Sequence, residues 1–394
     1  MGIFVGIDIG MKFHHCFFID QDGKKIMDFR FNNNDEGFKL LFENLLKYKK
    51  TDIDTISLEA TGHYWYALYE KLLKEYSQIK VFNPILTSAT KNINIRGIKS
   101  DPSEAKRIAN LPRLSDVLAS RIPEGMLAEL RDLSRFRRKI TKQLNSVILY
   151  LQSILDVIFP EWREISKNGI NTTLLTILKE TPFPEQILKL GKEKLLCIIR
   201  KASKNRLGKE FAEKVYHLAS ITVGCTTKRS AYWLKIIDSI KQIEMFKSQI
   251  SELDNELSDM FKSEQSLLQS IPGIGKVNSA AILSEIGDLK SLNNNNGQAI
   301  VALAGLDPKV KESGKYQGKR KISKRGSRYL RAAIYESVFV AVFTHSNKQN
   351  QFRMIYLKHK GRGKKHREAL LAACNKMCHV IYSVLKYQNN YNEP

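Results

Sequence analysis

Four acidic residues near the start of the sequence are the side chains best suited to metal chemistry. Asp8 lies inside the apolar run IFVGIDI, and Glu59 ends the run TISLE. Asp101 and Glu104 occur together in KSDPSEAKRIA, where a spacing of three places both side chains on one face of a helix. Carboxylates that converge repel one another unless a cation lies among them. Such a cluster predicts bound Mg²⁺, with Mn²⁺ as an alternative, acting on phosphate chemistry.

Each carboxylate also has a simpler interpretation. Asp101 and Glu104 could only complement the dipole of a helix N-terminus, and Glu59 could be a solvent-facing residue at a strand end. Asp8 is hardest to explain in this way, because a charge inside an apolar strand has no packing role. Asp8 is therefore the strongest single indication of a metal site.

The elements that would position these carboxylates form a mixed α/β pattern. Three β-rich runs at 3–9, 14–20 and 25–32 are separated by turn signals such as Asp22-Gly23, and they predict an antiparallel meander. They are followed by a helix at 36–49, a strand at 55–60, a helix at 63–76, a strand at 79–83 and a helix that begins near Pro102. This order is typical of the ribonuclease-H-like fold. A doubly wound nucleotide-binding fold is the alternative, but it requires a helix directly after the first strand.

The remainder of the chain is predicted to be mainly helical. Two sets of apolar residues advance by threes and fours, the spacing of a coiled-coil seam: Leu130, Leu133, Ile140, Leu144, Val147 and Leu151, and then Ile243, Phe246, Ile250, Leu253, Leu257 and Met260. A small helical insert is expected at about 166–226. We predict three domains, at 1–123, 124–265 and 266–394.

The charge of the protein indicates a polyanionic partner. The 394 residues include 64 Lys and Arg against 40 Asp and Glu, a formal charge of +24. Nucleic acid is favoured over an anionic membrane, because no apolar run approaches the roughly 20 residues of a spanning helix and the N-terminus lacks a signal-peptide pattern. Five scattered cysteines favour a reducing cytoplasm over a disulfide framework. Cys374 and Cys378 beside His379 are interpreted as small core residues, not as zinc ligands.

The region after residue 266 contains the features of a nucleic-acid interface. SIPGIGKVNSAAILSEIG (270–287) predicts a helix, a Gly-rich turn resembling a helix-hairpin-helix motif, and a second helix whose free N–H groups could hold a phosphate. The run KESGKYQGKRKISKRG (311–326) then carries seven cations and one acid. The predicted nucleic-acid-binding residues are Lys276, Lys315, Lys319, Arg320, Lys321, Lys324, Arg325 and Arg328.

Three serines lie in or beside this basic run. Ser313, followed by Gly314, is either an ordinary loop residue or the residue around which the charge is gathered, and the run alone does not decide between them. Ser323 and Ser327 are expected to be helix-capping residues.

These motifs together resemble a known family. VGIDIG, LEATGHYW, Asn83-Pro84 and KSDPSEAKRIA resemble the amino-terminal RuvC-like domain of DEDD transposases of insertion-sequence family 110. IPGIG, ALAGLDP, ESGKYQGKRKISKRG, LRAAIYE and the closing helix resemble the carboxy-terminal transposase domain of the same family. Each motif alone is weak, but their order and spacing match from residue 3 to about 387.

The resemblance implies specific roles for the candidate residues. Asp8, Glu59 and Asp101 match the first three positions of the family's acidic tetrad, and Glu104 stands where the family usually has Asp, so its role as a ligand is the least secure. Ser313 matches the family's serine nucleophile, which forms a covalent phosphoserine–DNA intermediate. The resemblance also implies a structured noncoding guide RNA that pairs with donor and target DNA, and a homodimer or tetramer whose copies share active sites.

The predicted function is therefore that of an RNA-guided DNA transposase or recombinase in a prokaryotic cytoplasm. One alternative is a metal-dependent junction nuclease of RuvC type, in which water attacks the phosphate and Ser313 takes no part. The other is a nucleic-acid-binding protein that has lost catalysis, for instance through Glu104.

Overall fold

The chain folds into two compact units, Met1–Ile122 and Pro123–Pro394. The second unit contains both the predicted helical region and the predicted carboxy-terminal region. The computed structural model describes residues 2–84, 87, 100–113, 119–120, 122–167, 169–260, 265–287, 289, 296–309, 312–313, 316–317, 321–344 and 350–393.

The amino-terminal unit is built on a five-stranded mixed sheet. Its strands are β1 (Ile3–Asp8), β2 (Phe13–Ile19), β3 (Lys25–Asn32), β4 (Ile53–Glu59) and β5 (Ile79–Phe82), in the spatial order β3-β2-β1-β4-β5. The predicted antiparallel meander of the first three strands is confirmed, and β4 and β5 extend the sheet in parallel with β1. The doubly wound alternative is wrong, because β1 continues directly into an antiparallel neighbour.

Side-chain alternation gives the two faces of this sheet different partners. Ile3, Val5 and Ile7 of β1 lie in one buried cluster with residues of α1 (Asp35–Leu45) and α2 (Trp65–Leu73). Phe17 and Ile19 of β2 lie instead in a second buried cluster with Ala105 and Ala109 of α3 (Asp101–Asn110). Phe4 packs against that second cluster, so the even-numbered residues of β1 face α3.

Gly6 determines how closely α3 approaches the sheet. A β-carbon at this position would lie 2.2 Å from both the carbonyl oxygen of Ala105 and the backbone nitrogen of Ala109. The helix contributes only the small side chains of Ala105 and Ala109 to this contact, and both are fully buried. The backbone of α3 therefore lies directly against β1.

Two long helices form the frame of the second unit. They are α4 (Gly125–Ile158) and α10 (Arg229–Met260), and they run antiparallel, with Arg137 donating two hydrogen bonds to the Asp254 carboxylate. Leu130 and Leu257 are buried at one end of the pair, and Leu151 and Ile243 at the other. Both ends of the predicted apolar seam thus pack within the chain.

Five short helices connect the ends of α4 and α10 and enclose a core of their own with the two long helices. They are α5 (Trp162–Ile165), α6 (Thr172–Glu180), α7 (Pro184–Leu190), α8 (Lys192–Ser203) and α9 (Lys209–Ser220). Trp162 is almost fully buried in this core, and its indole N–H donates to Asp156 at 2.9 Å. The segment expected as a helical insert is helical.

The carboxy-terminal part packs around a single apolar cluster. Its helices are α11 (Gln265–Gln269), α12 (Lys276–Ile286), α13 (Gln298–Leu303), α14 (Arg328–Phe343), α15 (Gln351–Gly361) and α16 (His366–Tyr387). Its strands are β6 (Pro308–Lys309), β7 (Glu312–Ser313), β8 (Tyr316–Gln317) and β9 (Lys321–Ile322). The sequence-based expectation of an α/β amino-terminal part followed by a mainly helical remainder is confirmed.

The cysteines of α16 are core residues. Cys374 and Cys378 are fully buried, and burial raises the pKa of the Cys374 thiol to about 12 and that of Cys378 further still. Within the described ranges no helix combines the length and apolar character needed to cross a bilayer.

Replacing Gly6 with alanine should force α3 away from β1. We expect Gly6→Ala to lower the free energy of unfolding by about 1–3 kcal/mol, the usual cost of overpacking, because the contacts are rigid backbone atoms. Gly208→Ala is the matched control, since a β-carbon there meets nothing within 4 Å. Chemical denaturation of both variants measures the effect, and equal stability of the two would contradict the close-packing argument.

Candidate functional site

The register of two parallel strands brings Asp8 and Glu59 side by side. Gly6 pairs with Ser57 and Ile7 pairs with Leu58, so the next residues along β1 and β4 are Asp8 and Glu59. Because parallel strands end at the same edge of a sheet, both carboxylates lie at one edge. Asp8 is two residues after Gly6, and it therefore faces the side of the sheet on which α3 packs.

The first turn of α3 brings the other two carboxylates to the same edge. The Ser103 hydroxyl donates to the Ser100 carbonyl at 2.7 Å and accepts from its N–H at 3.1 Å, and Pro102 occupies the first turn, where no N–H is needed. This start places Asp101 and Glu104 in that turn. Since Ala105 lies over Gly6, the neighbouring Glu104 lies close to the end of β1.

The pKa of Asp8 reflects this convergence. Burial raises the pKa of Asp8 to about 6, and repulsion from Glu104, Asp101 and Glu59, in that order, adds to the effect. A hydrogen bond from the backbone N–H of Ile9 opposes the shift. The structure thus brings the four predicted carboxylates into one electrostatic neighbourhood; their binding of a metal stays a prediction.

Two of these carboxylates, Glu59 and Glu104, contact polar side chains close to them in the sequence. Glu59 accepts a hydrogen bond from the Thr61 hydroxyl at 2.7 Å, and Glu104 lies 3.6 Å from the Arg107 guanidinium. Among the described residues, no three His, Cys, Asp or Glu side chains already stand where one ion could contact them all. The donor set nevertheless fits Mg²⁺, because all the donors are carboxylate oxygens. The pKa of Asp8 is raised first by burial and then by repulsion from its acidic neighbours, and a cation would relieve that repulsion.

The segment that contains Ser313 is a pair of nested hairpins. The outer hairpin pairs β6 with β9, and the inner one pairs β7 with β8, with Ser313 opposite Tyr316. Ser313 is therefore the last residue of β7, and it pairs with the first residue of β8. Its side chain lies outside the described part of the protein, as do Gly314 and Lys315.

Two glycines attach the base of these hairpins to the helical core. A β-carbon on Gly305 would lie 2.6 Å from the nitrogen of Gly326, and one on Gly326 would lie 2.1 Å from the carbonyl oxygen of Leu303. Gly305 also has φ +61°, a conformation that favours glycine. The motifs ALAGLDP and SKRGS therefore meet backbone to backbone.

The two other serines of this region have structural hydrogen bonds. Ser327 caps α14, accepting from the N–H groups of Tyr329 and Leu330 at 3.2 Å, as expected. The expectation for Ser323 is wrong: its hydroxyl donates to the Asp307 carboxylate at 2.6 Å and accepts from the Arg325 N–H, so it stabilises a turn and not a helix end.

The basic residues predicted to bind nucleic acid differ in how far the structure describes them. Five of the eight are exposed and form no ion pair with any described residue: Lys276, Lys321, Lys324, Arg325 and Arg328. Lys315, Lys319 and Arg320 lie outside the described residues. Lys276 follows the exposed Gly275, whereas Gly273 of the same turn packs its backbone against Ser337 of α14.

A cleft that our sequence analysis missed lies among α4, α12 and α14. It has a volume of about 140 Å³, and its lining includes Arg135, Arg138 and Glu285. Glu285, almost fully buried, accepts hydrogen bonds from Arg135 at 2.6 and 3.0 Å and from the Ser327 hydroxyl at 2.8 Å. The signal for this cleft in the sequence is the run RDLSRFRRKITK (131–142), whose six cations include four residues of the lining.

Comparison with known proteins gives consistent results along the chain. Residues 5–160 match the DEDD_Tnp_IS110 model, described as "Transposase", and residues 265–354 match the model "Transposase IS116/IS110/IS902 family". The "Insertion element IS116 uncharacterized 44.8 kDa protein" of Streptomyces clavuligerus is 24% identical over 98% of this chain and 94% of its own length. The "Pilin gene-inverting protein" of Moraxella bovis is 22% identical over 99% of this chain and 98% of its own length.

The pKa of Asp8 predicts a pH-dependent effect of Asp8→Asn. With the folded-state pKa raised to about 6, the neutral carboxyl stabilises the fold fully below its ordinary pKa of 3.8, and that stability is lost as pH rises through 6. In metal-free buffer, Asp8→Asn should therefore gain thermal stability over wild type at about pH 8 and little at about pH 4. Thermal melts across this range, with the exposed Asp54→Asn as control, measure the difference. A stability difference that does not change with pH would contradict the assignment.

Proposed function

This chain belongs to the IS116/IS110/IS902 family of DNA transposases, and we propose that it cuts and rejoins DNA through a covalent phosphoserine intermediate, with Mg²⁺ held by its carboxylates. The observation that carries the metal part of the proposal is the convergence of Asp8, Glu59, Asp101 and Glu104 at one sheet edge. The serine part rests on the family motif around Ser313. The relatedness to a pilin gene-inverting protein supports recombination as the overall reaction.

We propose that the amino-terminal unit is a RuvC-like domain of the ribonuclease-H class. The support is its strand order, with an antiparallel meander extended by two parallel strands, and the helix α3 packed across β1. In such an arrangement the strand ends and the first turn of one helix supply all the acidic side chains.

In this proposal the four carboxylates bind the metal, and strands β1 and β4 together with the first turn of α3 position them. Bound Mg²⁺ would polarise a phosphate oxygen and neutralise charge that develops on the phosphate. Asp8 would bind the metal as its carboxylate, and a bound cation would offset the cost of holding that charge in a buried position beside other acids. Asp101 and Glu104 are carried by the first turn of α3, so that turn orients two ligands at once.

Ser313 would supply the nucleophile. Its hydroxyl proton is removed, Oγ bonds to the phosphorus, and the bond from phosphorus to the departing sugar oxygen breaks, with that oxygen taking up a proton. The phosphodiester energy is kept in the serine–DNA ester, so a second sugar hydroxyl can reverse the step and rejoin the strand. Nearby exposed cations such as Lys321, Lys324 and Arg325 would hold the strand through its phosphates.

A guide RNA and an oligomer complete the proposal. The net charge of +24 gives the protein capacity for both RNA and DNA, and the family resemblance supplies the reason to propose a structured noncoding RNA that chooses the sequence by pairing. We also propose a homodimer or tetramer, which the mass of the protein in solution, measured by light scattering, would test.

The covalent step predicts a protein–DNA adduct that survives denaturation. Incubation of the protein with its element's DNA, its noncoding RNA and Mg²⁺ should give this adduct with wild type and none with Ser313→Ala. Denaturing gel electrophoresis of labelled DNA detects it. Leaving out the RNA should abolish the adduct if the RNA selects the DNA.

Other outcomes of this experiment separate the alternatives. Cleavage by both wild type and Ser313→Ala without any adduct would establish water as the nucleophile and contradict the serine mechanism. Asp8→Ala should lose strand cleavage, and unchanged cleavage in that variant would remove the basis of the metal proposal. An absence of cleavage in wild type would favour a protein that binds nucleic acid only.

The departure at Glu104 from the family's usual Asp gives a second test. If Glu104 is a ligand, Glu104→Gln should lower Mg²⁺-dependent cleavage by about tenfold or more, because the neutral amide is a poor ligand. Glu104→Asp keeps the charge and should retain much of the activity. Titration of cleavage rate with Mg²⁺ measures both variants, and wild-type behaviour of Glu104→Gln would indicate a three-carboxylate site.

A further inference from the structure

A strongly basic turn joins the last two helices of the protein. We define the cationic turn as residues 358–367, KHKGRGKKHR, which link the end of α15 to the start of α16. Six of its ten residues are full cations, and the two others with ionisable side chains are His359 and His366. The six cations are Lys358, Lys360, Arg362, Lys364, Lys365 and Arg367.

These charges are not used for folding. All six side chains are exposed, and none of them forms an ion pair or lies over an aromatic ring of any residue in the described part of the chain. Lys358 and Lys360 lie in the last turn of α15, where cations complement the helix dipole. Lys364, Lys365 and Arg367 lie at the start of α16, where the dipole disfavours cations. Helix stability thus accounts for the cations at the end of α15, but the cations at the start of α16 destabilise their helix.

The turn is nevertheless held in a defined conformation. Gly363 donates its backbone N–H to the Lys360 carbonyl at 2.9 Å, and Lys364 donates to the His359 carbonyl at 3.1 Å. The His366 ring shares a hydrogen bond of 2.9 Å with the hydroxyl of Tyr356, which belongs to the buried apolar cluster of the carboxy-terminal helices. Like charges are therefore kept close together on a structured support.

We propose that the cationic turn binds the phosphate backbone of a nucleic acid. Densely placed, unpaired cations gain affinity for a polyanion by releasing its condensed counterions, and a preordered turn loses little freedom on binding. A membrane surface fits less well, because membrane-bound segments insert an apolar face and the ten residues include no apolar side chain. The turn also lies beyond residues 265–354, where the family match ends, and apart from the basic residues predicted from the sequence.

This binding needs neither Ser313 nor a metal, so it stands or fails separately from the proposed strand exchange. It can be measured in EDTA, where metal-dependent cleavage does not occur. Duplex DNA of mixed sequence and a structured RNA hairpin are the two probes, and vesicles containing phosphatidylserine are the third.

A variant with four charges removed tests the proposal against a control with the same net charge. The test variant is Lys360→Gln/Arg362→Gln/Lys364→Gln/Lys365→Gln, and the control, in exposed positions of the helical insert, is Lys167→Gln/Lys189→Gln/Lys194→Gln/Lys201→Gln. We expect the test variant to bind at least one nucleic acid about tenfold or more weakly, and its salt slope for DNA to fall by up to about 3–4. The control should change affinity by no more than about twofold.

Each of the other possible binding results either supports the proposal or overturns it. If the test variant loses affinity only for DNA or only for RNA, that result identifies which nucleic acid binds the cationic turn, and it supports the proposal. Equal losses in the test and control variants would attribute the effect to net charge and overturn it, as would an unchanged test variant or a loss of vesicle binding alone. The charge-preserving variant Lys360→Arg/Lys364→Arg/Lys365→Arg must retain binding, and its failure to do so would also count against the proposal.

Discussion

The close approach of α3 to β1 at Gly6 is the constraint on which the amino-terminal unit depends. A helix that lies against a strand with only hydrogen atoms between their backbones has almost no freedom to shift or rotate, since interiors are packed at crystal density. The first turn of that helix carries Asp101 and Glu104, and the strand carries Asp8 two residues after the contact. A close packing contact between two backbones thus decides where three charged groups are held. The cost is visible at Asp8, whose pKa is raised by burial and by its acidic neighbours.

A similar principle operates in the second unit, with glycine contacts at the places where chemistry is proposed. Gly305 and Gly326 bring two backbone segments together beneath the hairpins that contain Ser313. The buried Glu285 then joins α4 to the start of α14 through Arg135 and Ser327. Removing one partner of such a buried pair is generally destabilising, because it leaves the other charge without compensation. The described strands of the hairpins therefore extend from a base that backbone contacts hold in place, which would suit the nucleophile proposed at Ser313.

The positive charge of the protein is distributed in a way that its total does not reveal. Arg135 and Arg137 are engaged with Glu285 and Asp254 and stabilise helix packing. The cations of the cationic turn, and those predicted near Ser313 that the structure describes, have no such partners and face solvent. The distinction matters because only unpaired, exposed cations are free to neutralise phosphates. Basic residues that look alike in the sequence therefore have two different roles: some stabilise helix packing, and others are exposed and can contact phosphates.

The sequence by itself determined the strand meander, the mainly helical character of the remainder, the four candidate carboxylates and the family, because these depend on local periodicity and on motifs that are contiguous along the chain. It did not determine that Gly6 sets the position of α3, that Ser323 binds Asp307, or that the two ends of the apolar seam of α4 pack into different buried clusters. It also did not reveal Glu285 as the partner of Arg135, 150 residues away. These features depend on contacts between segments far apart in the chain, and only the tertiary structure decides which distant groups meet and which charges remain exposed.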